Sequence, residues 1–146
     1  MVKFCKQTSI VVSNDLLLCK NRAGQTHNLY GPASIGFEER HPILRIKTVS
    51  FQINGQIRMI NKGPSYFIFK DGLLEVYWDY APAKYIAKRY YSDGSICKIH
   101  YGHSYKERYF ARGEARDNVL QYYQIIVVPQ IKTLFERARI VGNIIF

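Results

Sequence analysis

The sequence predicts a mainly β fold, an antiparallel meander of repeated hairpins with a C-terminal α-helix. Three observations carry this. Twelve Tyr and eight Phe favour pleated, half-buried surfaces, because aromatic rings pack well across strands. The turn dipeptides Asn54-Gly55, Asp71-Gly72 and Asp93-Gly94 alternate with Gly63-Pro64 and Ala81-Pro82 at intervals of 8 to 12 residues. Such intervals suit tight hairpins and leave no room for the crossovers that parallel neighbours need. After Pro129, finally, apolar residues recur at helical rather than strand spacing.

Taken in order, the first element is a short hairpin, Ser9 to Val12 with Leu16 to Cys19 around Ser13-Asn14-Asp15, capping the repeats from within an N-terminal segment, 1–30. The repeat meander occupies 31–113. Its candidate strands are Arg45 to Ile53, Gln56 to Ile60, Tyr66 to Lys70, Leu73 to Asp79, Lys84 to Tyr91, Ile96 to Tyr101 and Tyr105 to Phe110. Most keep period two: Val49, Phe51 and Ile53 alternate with Thr48, Ser50 and Gln52, and Ile57 and Met59 resume the pattern. Leu74, Val76 and Trp78 mark a buried face opposite Glu75 and Asp79.

The C-terminal helical segment, 114–146, opens with a polar break from Glu114 to Asn118. Pro129 then starts a helix whose Ile131, Leu134, Phe135, Ala138 and Val141 share one stripe, with Lys132, Glu136, Arg137 and Arg139 outward, until Gly142 stops it. Val119 to Val128 reads two ways. Asn118 can cap a helix, whereas the β-branched Ile125-Ile126-Val127-Val128 favours a strand; the reading adopted is a helix continuing from Asn118.

The turns also recur as a repeat. Gly63-Pro64-Ser65-Tyr66-Phe67-Ile68-Phe69-Lys70-Asp71-Gly72 aligns with Ala81-Pro82-Ala83-Lys84-Tyr85 running on to Tyr90-Tyr91-Ser92-Asp93-Gly94, and Gly31-Pro32-Ala33-Ser34-Ile35-Gly36-Phe37 begins alike. Gly55 to Gly72 is 17 positions and Gly72 to Gly94 is 22, one hairpin per unit. From roughly Gly31 to Phe110, and best from Asn54-Gly55 through Tyr77-Trp78, the chain resembles degenerate MORN-type repeats. In that pattern an Asn-Gly or Asp-Gly turn, a strand, a Gly-Pro-small step and an aromatic strand follow one another. Asn61-Lys62 stand where the family has His-Arg, Ala81 where it has Gly, and the step from Gly55 to Gly63 is long. Because such repeats are numerous in large DNA viruses, the resemblance implies a minor capsid protein or other virion component.

With 47% hydrophobic and 22% charged residues the single domain can bury a sizeable core, and its formal charge of +10 points to acidic partners. Cys5, Cys19 and Cys97 are too few and too unpatterned for a disulfide framework, which fits a reducing compartment. Lys6, Gln7, Thr8 and Ser9 interrupt any signal-like run. The longest apolar stretches, Leu16 to Cys19 and Ile125 to Val128 among them, fall far short of the roughly 20 residues of a transmembrane segment. The expected location is cytoplasmic or virion, not secreted.

Chemistry-bearing patterns are sparse. Cys97, His100 and His103 have metal-like spacing, but residues three apart on a strand point to opposite faces and no fourth ligand is near, so no metal and no cofactor is expected. The same divergence argues against Cys97 and His100 as nucleophile and base. Glu38-Glu39 are merely adjacent, turn formation accounts for Asp71 and Asp93, and His27 and His41 read as surface residues. Phosphate-loop, nucleophile-elbow and zinc-helix motifs are absent, and catalysis is not expected.

The richest segment combines Lys84, Lys88, Arg89, Lys98, Lys106, Arg108, Arg112 and Arg116 with interleaved tyrosines, against only Asp93, Glu107 and Glu114 nearby in sequence. Tyr and Arg enrich protein interfaces. The expected function is therefore a non-enzymatic structural or interaction protein packed in a larger assembly against acidic or apolar protein surfaces. Its contact residues would be Tyr85, Arg89, Tyr91, Tyr105, Arg108 and Tyr109, with the apolar tail Ile144, Ile145 and Phe146. The alternative is nucleic-acid binding by the same basic, tyrosine-rich sheet. Lys132, Arg137 and Arg139 are too few for a membrane-surface helix.

Overall fold

The computed structural model describes residues 9–145 apart from 59–62, 72, 82–83, 103 and 105, and apart from the side chains of 80–81. Cys5, Met59, Ile60, His103, Tyr105 and Phe146 thus lie outside the described residues. The chain forms an antiparallel meander of consecutive hairpins with one C-terminal helical region. The strands are β1 (Ser9–Val12), β2 (Leu16–Lys20), β3 (Ser34–Arg40), β4 (Ile43–Ser50), β5 (Gln52–Ile53), β6 (Gln56–Ile57), β7 (Tyr66–Lys70), β8 (Leu73–Ala81), β9 (Lys84–Tyr90), β10 (Ile96–Tyr101), β11 (Lys106–Tyr109) and β12 (Asn143–Ile145). The main sheet runs β1-β2-β3-β4-β7-β8-β9-β10-β11, with β12 added beside β4.

Local chemistry sets the turns. Asn54 and Asp71 adopt positive φ of 51° and 54°, a conformation that Asn and Asp tolerate better than bulkier residues. Asp93 Oδ1 accepts the Ser95 backbone N–H and hydroxyl, at 2.9 and 2.6 Å, which closes the β9–β10 turn.

Alternation then divides the sheet into two faces. Leu17, Cys19, Ile35, Phe37, Leu44, Ile46, Val49, Phe67, Leu74, Val76, Tyr90 and Ile96 are buried in the core, where the helical region packs on them. That region comprises α1 (Val119–Tyr122), a π-helical stretch (Tyr123–Val127) and α2 (Val128–Arg137). Phe135 meets Phe37 edge-on at 5.4 Å between centroids, and Tyr123 contacts Phe67 at 4.9 Å and Phe69 at 5.4 Å. Burial of Tyr123, Val127, Val128, Ile131 and Leu134 overrides the strand preference of the β-branched run, and the wider π turn contains it.

Several boundaries differ from the sequence reading. Arg45 to Ile53 is not one strand. Buried Phe51 ends its membership of the main sheet, its N–H donating to Ser65 O while its carbonyl accepts Arg58 N–H. The Asn54-Gly55 turn then closes β5 on β6 as a separate two-stranded sheet. β3, read only as the start of a repeat, is a full strand pairing β2 and β4. Asn118 makes no side-chain cap; Asp117 Oδ1 instead accepts Val119 N–H at 3.1 Å. The helix stops at Arg137 rather than Val141, because Arg139 turns at φ 60° and Val141 is left 79% exposed.

The chain then returns to the sheet. β12 pairs in parallel with the first half of β4, Ile144 opposite Leu44, while β7 pairs antiparallel with Thr48–Ser50. Gly142 permits this approach, since a Cβ there would sit 2.9 Å from Pro42 O. His27, expected at the surface, is buried, and its Nδ1 accepts the Asn54 N–H at 3.0 Å, bracing the β5–β6 turn.

Candidate interaction surface

Opposite the helix, the outer face of β7–β10 carries a stripe of aromatic rings. The register places Tyr66 against Tyr77 and sets Tyr85 diagonally beyond it, followed by His100. Successive centroids are 5.8, 5.7 and 5.9 Å apart, within the range of attractive ring contacts. The Tyr85 ring also rests on Gly102, where a Cβ would collide with it. Glycine just beyond the end of β10 here provides a seat for the ring.

Beside the stripe lies a polar pocket of about 220 Å³ whose floor is Ala87. Tyr77 and His100 flank Ala87 across the strands, and Tyr85 and Arg89 flank it along β9. One small side chain among large ones creates the depression. Glu75 accepts Tyr77 O–H at 2.6 Å and Arg89 Nε–H at 3.0 Å, with Arg89 Nη2 at 2.9 Å. Burial pushes the Glu75 carboxyl up, but these hydrogen bonds and the charges of Arg89 and Lys98 outweigh it and hold the group below its ordinary value. Burial, reinforced by Glu75, raises the Tyr77 phenol, so it stays protonated as the donor.

Glu107 accepts a short hydrogen bond from Tyr109 and lies 3.6 Å from Lys98 Nζ and 3.3 Å from His100 Nδ1. The Tyr109 bond is the main cause of its lowered pKa. Burial opposes that shift, while Lys98 and His100 add to it.

The contact residues expected from sequence are thus distributed over several places. Tyr85, Arg89 and Tyr109 share the outer face. Arg108 alternates to the helix side, its guanidinium 4.9 Å from the Phe110 ring. Tyr91, beyond the end of β9, donates its hydroxyl to Phe110 O at 2.7 Å and carries Arg112 at 5.2 Å. Ile144 packs against the chain's own core, and Ile145 is exposed on the neighbouring position of β12. The sequence reading gives Tyr66, Glu75, Tyr77 and Ala87 no place in a contact surface, and weighs His100 only as a metal ligand or a base. Pairing the outward residues of successive hairpins, Glu75 and Tyr77 with Arg89 and Ala87, is the signal that finds them.

The basic segment is also more neutral than its sequence. Of its eight cations, Lys88 reaches Asp117 at 3.0 Å, Arg89 reaches Glu75, Lys98 reaches Glu107, and Arg116 reaches Asp93 at 3.5 Å. Two of those acids, Glu75 and Asp117, come from outside the stretch. Among the described residues no three His, Cys, Asp or Glu side chains converge as a metal set, and no helix is long and apolar enough to cross a membrane. Comparison with protein-family models, with curated proteins and with solved structures returned no match.

Proposed function

We propose that the protein is a non-catalytic interaction protein that packs within a larger assembly through the outer face of β7–β10. One observation carries the reading: the helix covers one face of the meander, while the opposite face presents half-buried aromatic rings and ion pairs around a shallow pocket. Rings and arginine held in place by neighbours lose little side-chain freedom on contact, which favours binding. The resemblance to degenerate MORN-type repeats adds a minor capsid or other virion component as the kind of assembly, an analogy of fold rather than of site.

Nucleic-acid binding by the same sheet is supported less well, because half the cations of the basic segment already face carboxylates. Exposed Lys84, Lys106, Arg108 and Arg112 are its best support, and a salt slope of about −0.7 per phosphate contact would identify it.

The test is photo-crosslinking in the producing cell, with a benzophenone amino acid in place of Tyr85 or Tyr109, and at Gln121 on the helix as comparison. Discrete protein adducts from the first two positions support the proposal. Absence of adducts at all three, with the protein eluting as a free monomer, overturns it.

A further inference from the structure

The pocket over Ala87 has an imbalance between hydrogen-bond donors and acceptors. A carboxylate offers about four acceptor sites. Glu75 already has three donors pointed at it, from Tyr77 and two nitrogens of Arg89, while Glu107 takes its hydrogen bond from Tyr109, with Lys98 and His100 close by but not bonded to it. Glu75 is close to saturation. The donors are not: Arg89 keeps Nη1, and Lys98 has only its 3.6 Å approach to Glu107, too long for a good hydrogen bond. Arg89 and Lys98 are direct cross-strand partners on this face. Both side chains line the same depression, together with Tyr77 and Tyr85.

We infer that this pocket captures a glutamate side chain presented by a protein partner, its carboxylate accepting from Arg89 and Lys98 and its methylenes lying against Tyr77 and Tyr85. The inference rests on the interaction role proposed above and names what that surface recognises. The chain's +10 charge draws acidic surfaces toward it at long range, and the surplus of donors selects an acceptor at short range. A single carboxylate fits this arrangement better than a nucleic-acid strand. Closely spaced phosphates running along the aromatic stripe would have to pass the fixed charges of Glu75 and Glu107.

The test is an NMR titration of the full chain with the capped hexapeptide Gly-Ser-Glu-Glu-Ser-Gly, its Gln-Gln counterpart, and a six-nucleotide thymidine strand. The glutamate peptide is expected to bind at least tenfold more tightly than the glutamine peptide, moving the signals of Tyr85, Arg89, Lys98 and His100. Ala87→Leu, which fills the floor, should weaken it at least fivefold, and so should Lys98→Gln, which keeps the answer readable if the leucine variant does not fold. Shifts scattered over the cationic surface and unaffected by either substitution overturn the inference, as does tighter binding of the thymidine strand at the same residues. Crosslinks from the outer face without peptide binding would leave the assembly role standing and remove this pocket. Peptide binding without crosslinks would do the reverse.

Discussion

Truncating Phe135 to alanine tests whether the helix is the cover of the sheet's apolar face. The ring is 2% exposed and meets Phe37 edge-on. A buried aromatic side chain withdraws at least about 150 Å² from water, which at about 25 cal/mol per Å² is worth close to 4 kcal/mol. Loss of the edge contact adds roughly 1 kcal/mol, and the methyl group that remains gives part of the total back. About 4 kcal/mol is expected, inside the range of about 3–5 kcal/mol for such truncations. For a chain of 146 residues, with an unfolding entropy of about 2.1 cal/mol/K per residue, Tm should fall by about 13 °C. Urea unfolding reads the free-energy loss and a thermal melt the fall in Tm, each followed by far- and near-ultraviolet circular dichroism. Ile125→Ala, ten residues earlier in the π-helical stretch and 59% exposed, should change stability by no more than about 0.5 kcal/mol. A loss below about 1 kcal/mol for Phe135→Ala, or equal losses for the two variants, would refute the packing argument.

Asp117 joins sheet to helix by accepting from Lys88, Tyr90 and Val119 N–H. Asp117→Ala should cost about 2–3 kcal/mol, since it strands the buried Tyr90 hydroxyl and removes the bond at the helix start; Asp117→Asn, which keeps an acceptor, should cost less in the same denaturation assay. Glu75, with its carboxyl held below the ordinary value, contributes stability that is complete above its unfolded pKa of about 4.3 and is lost as pH falls through the lower folded value. The stability gap between wild type and Glu75→Gln should therefore be constant near neutrality and close in acid; a gap that persists at the lowest pH where the protein stays folded contradicts the assignment. Burial pushes the Cys19 thiol up to about 11, partly offset by Arg137. Iodoacetamide with mass spectrometry should find Cys19 protected until global unfolding while half-buried Cys97 reacts in the folded state; equal rates would place Cys19 nearer the surface than its zero exposure indicates.

The meander was legible because its turns are written in local chemistry. Asn54-Gly55, Asp71-Gly72 and Asp93-Gly94 need no distant partner to specify a reversal, and Leu74, Val76 and Trp78 fix which side of β8 is buried. The helix over 119–128 was readable only in part, since propensity and tertiary burial conflict along Ile125-Ile126-Val127. The hidden features all depend on residues far apart in sequence. His27 is buried by a turn 27 residues away, and Asp117 neutralises a lysine 29 residues earlier. β12 exists only because β4 offers half an edge. The candidate pocket belongs to the same class: Ala87 becomes a floor, and Glu75 a partner of Arg89, only once the register of three strands is known.

That half-edge imposes an order on the molecule's assembly. Ile43 pairs with Asn143, a separation of 100 residues, so the first half of β4 cannot be completed until residues 143–145 have been made. At about 5–20 residues per second, the ribosome takes about 5–20 s to supply the missing strand, whereas neighbouring hairpins can close in microseconds. Until then the edge of β4 beside Ile43 and Leu44 lacks its β12 partner. Completion of this edge belongs to residues 143–145, and any partner that needs the finished sheet has to wait for them.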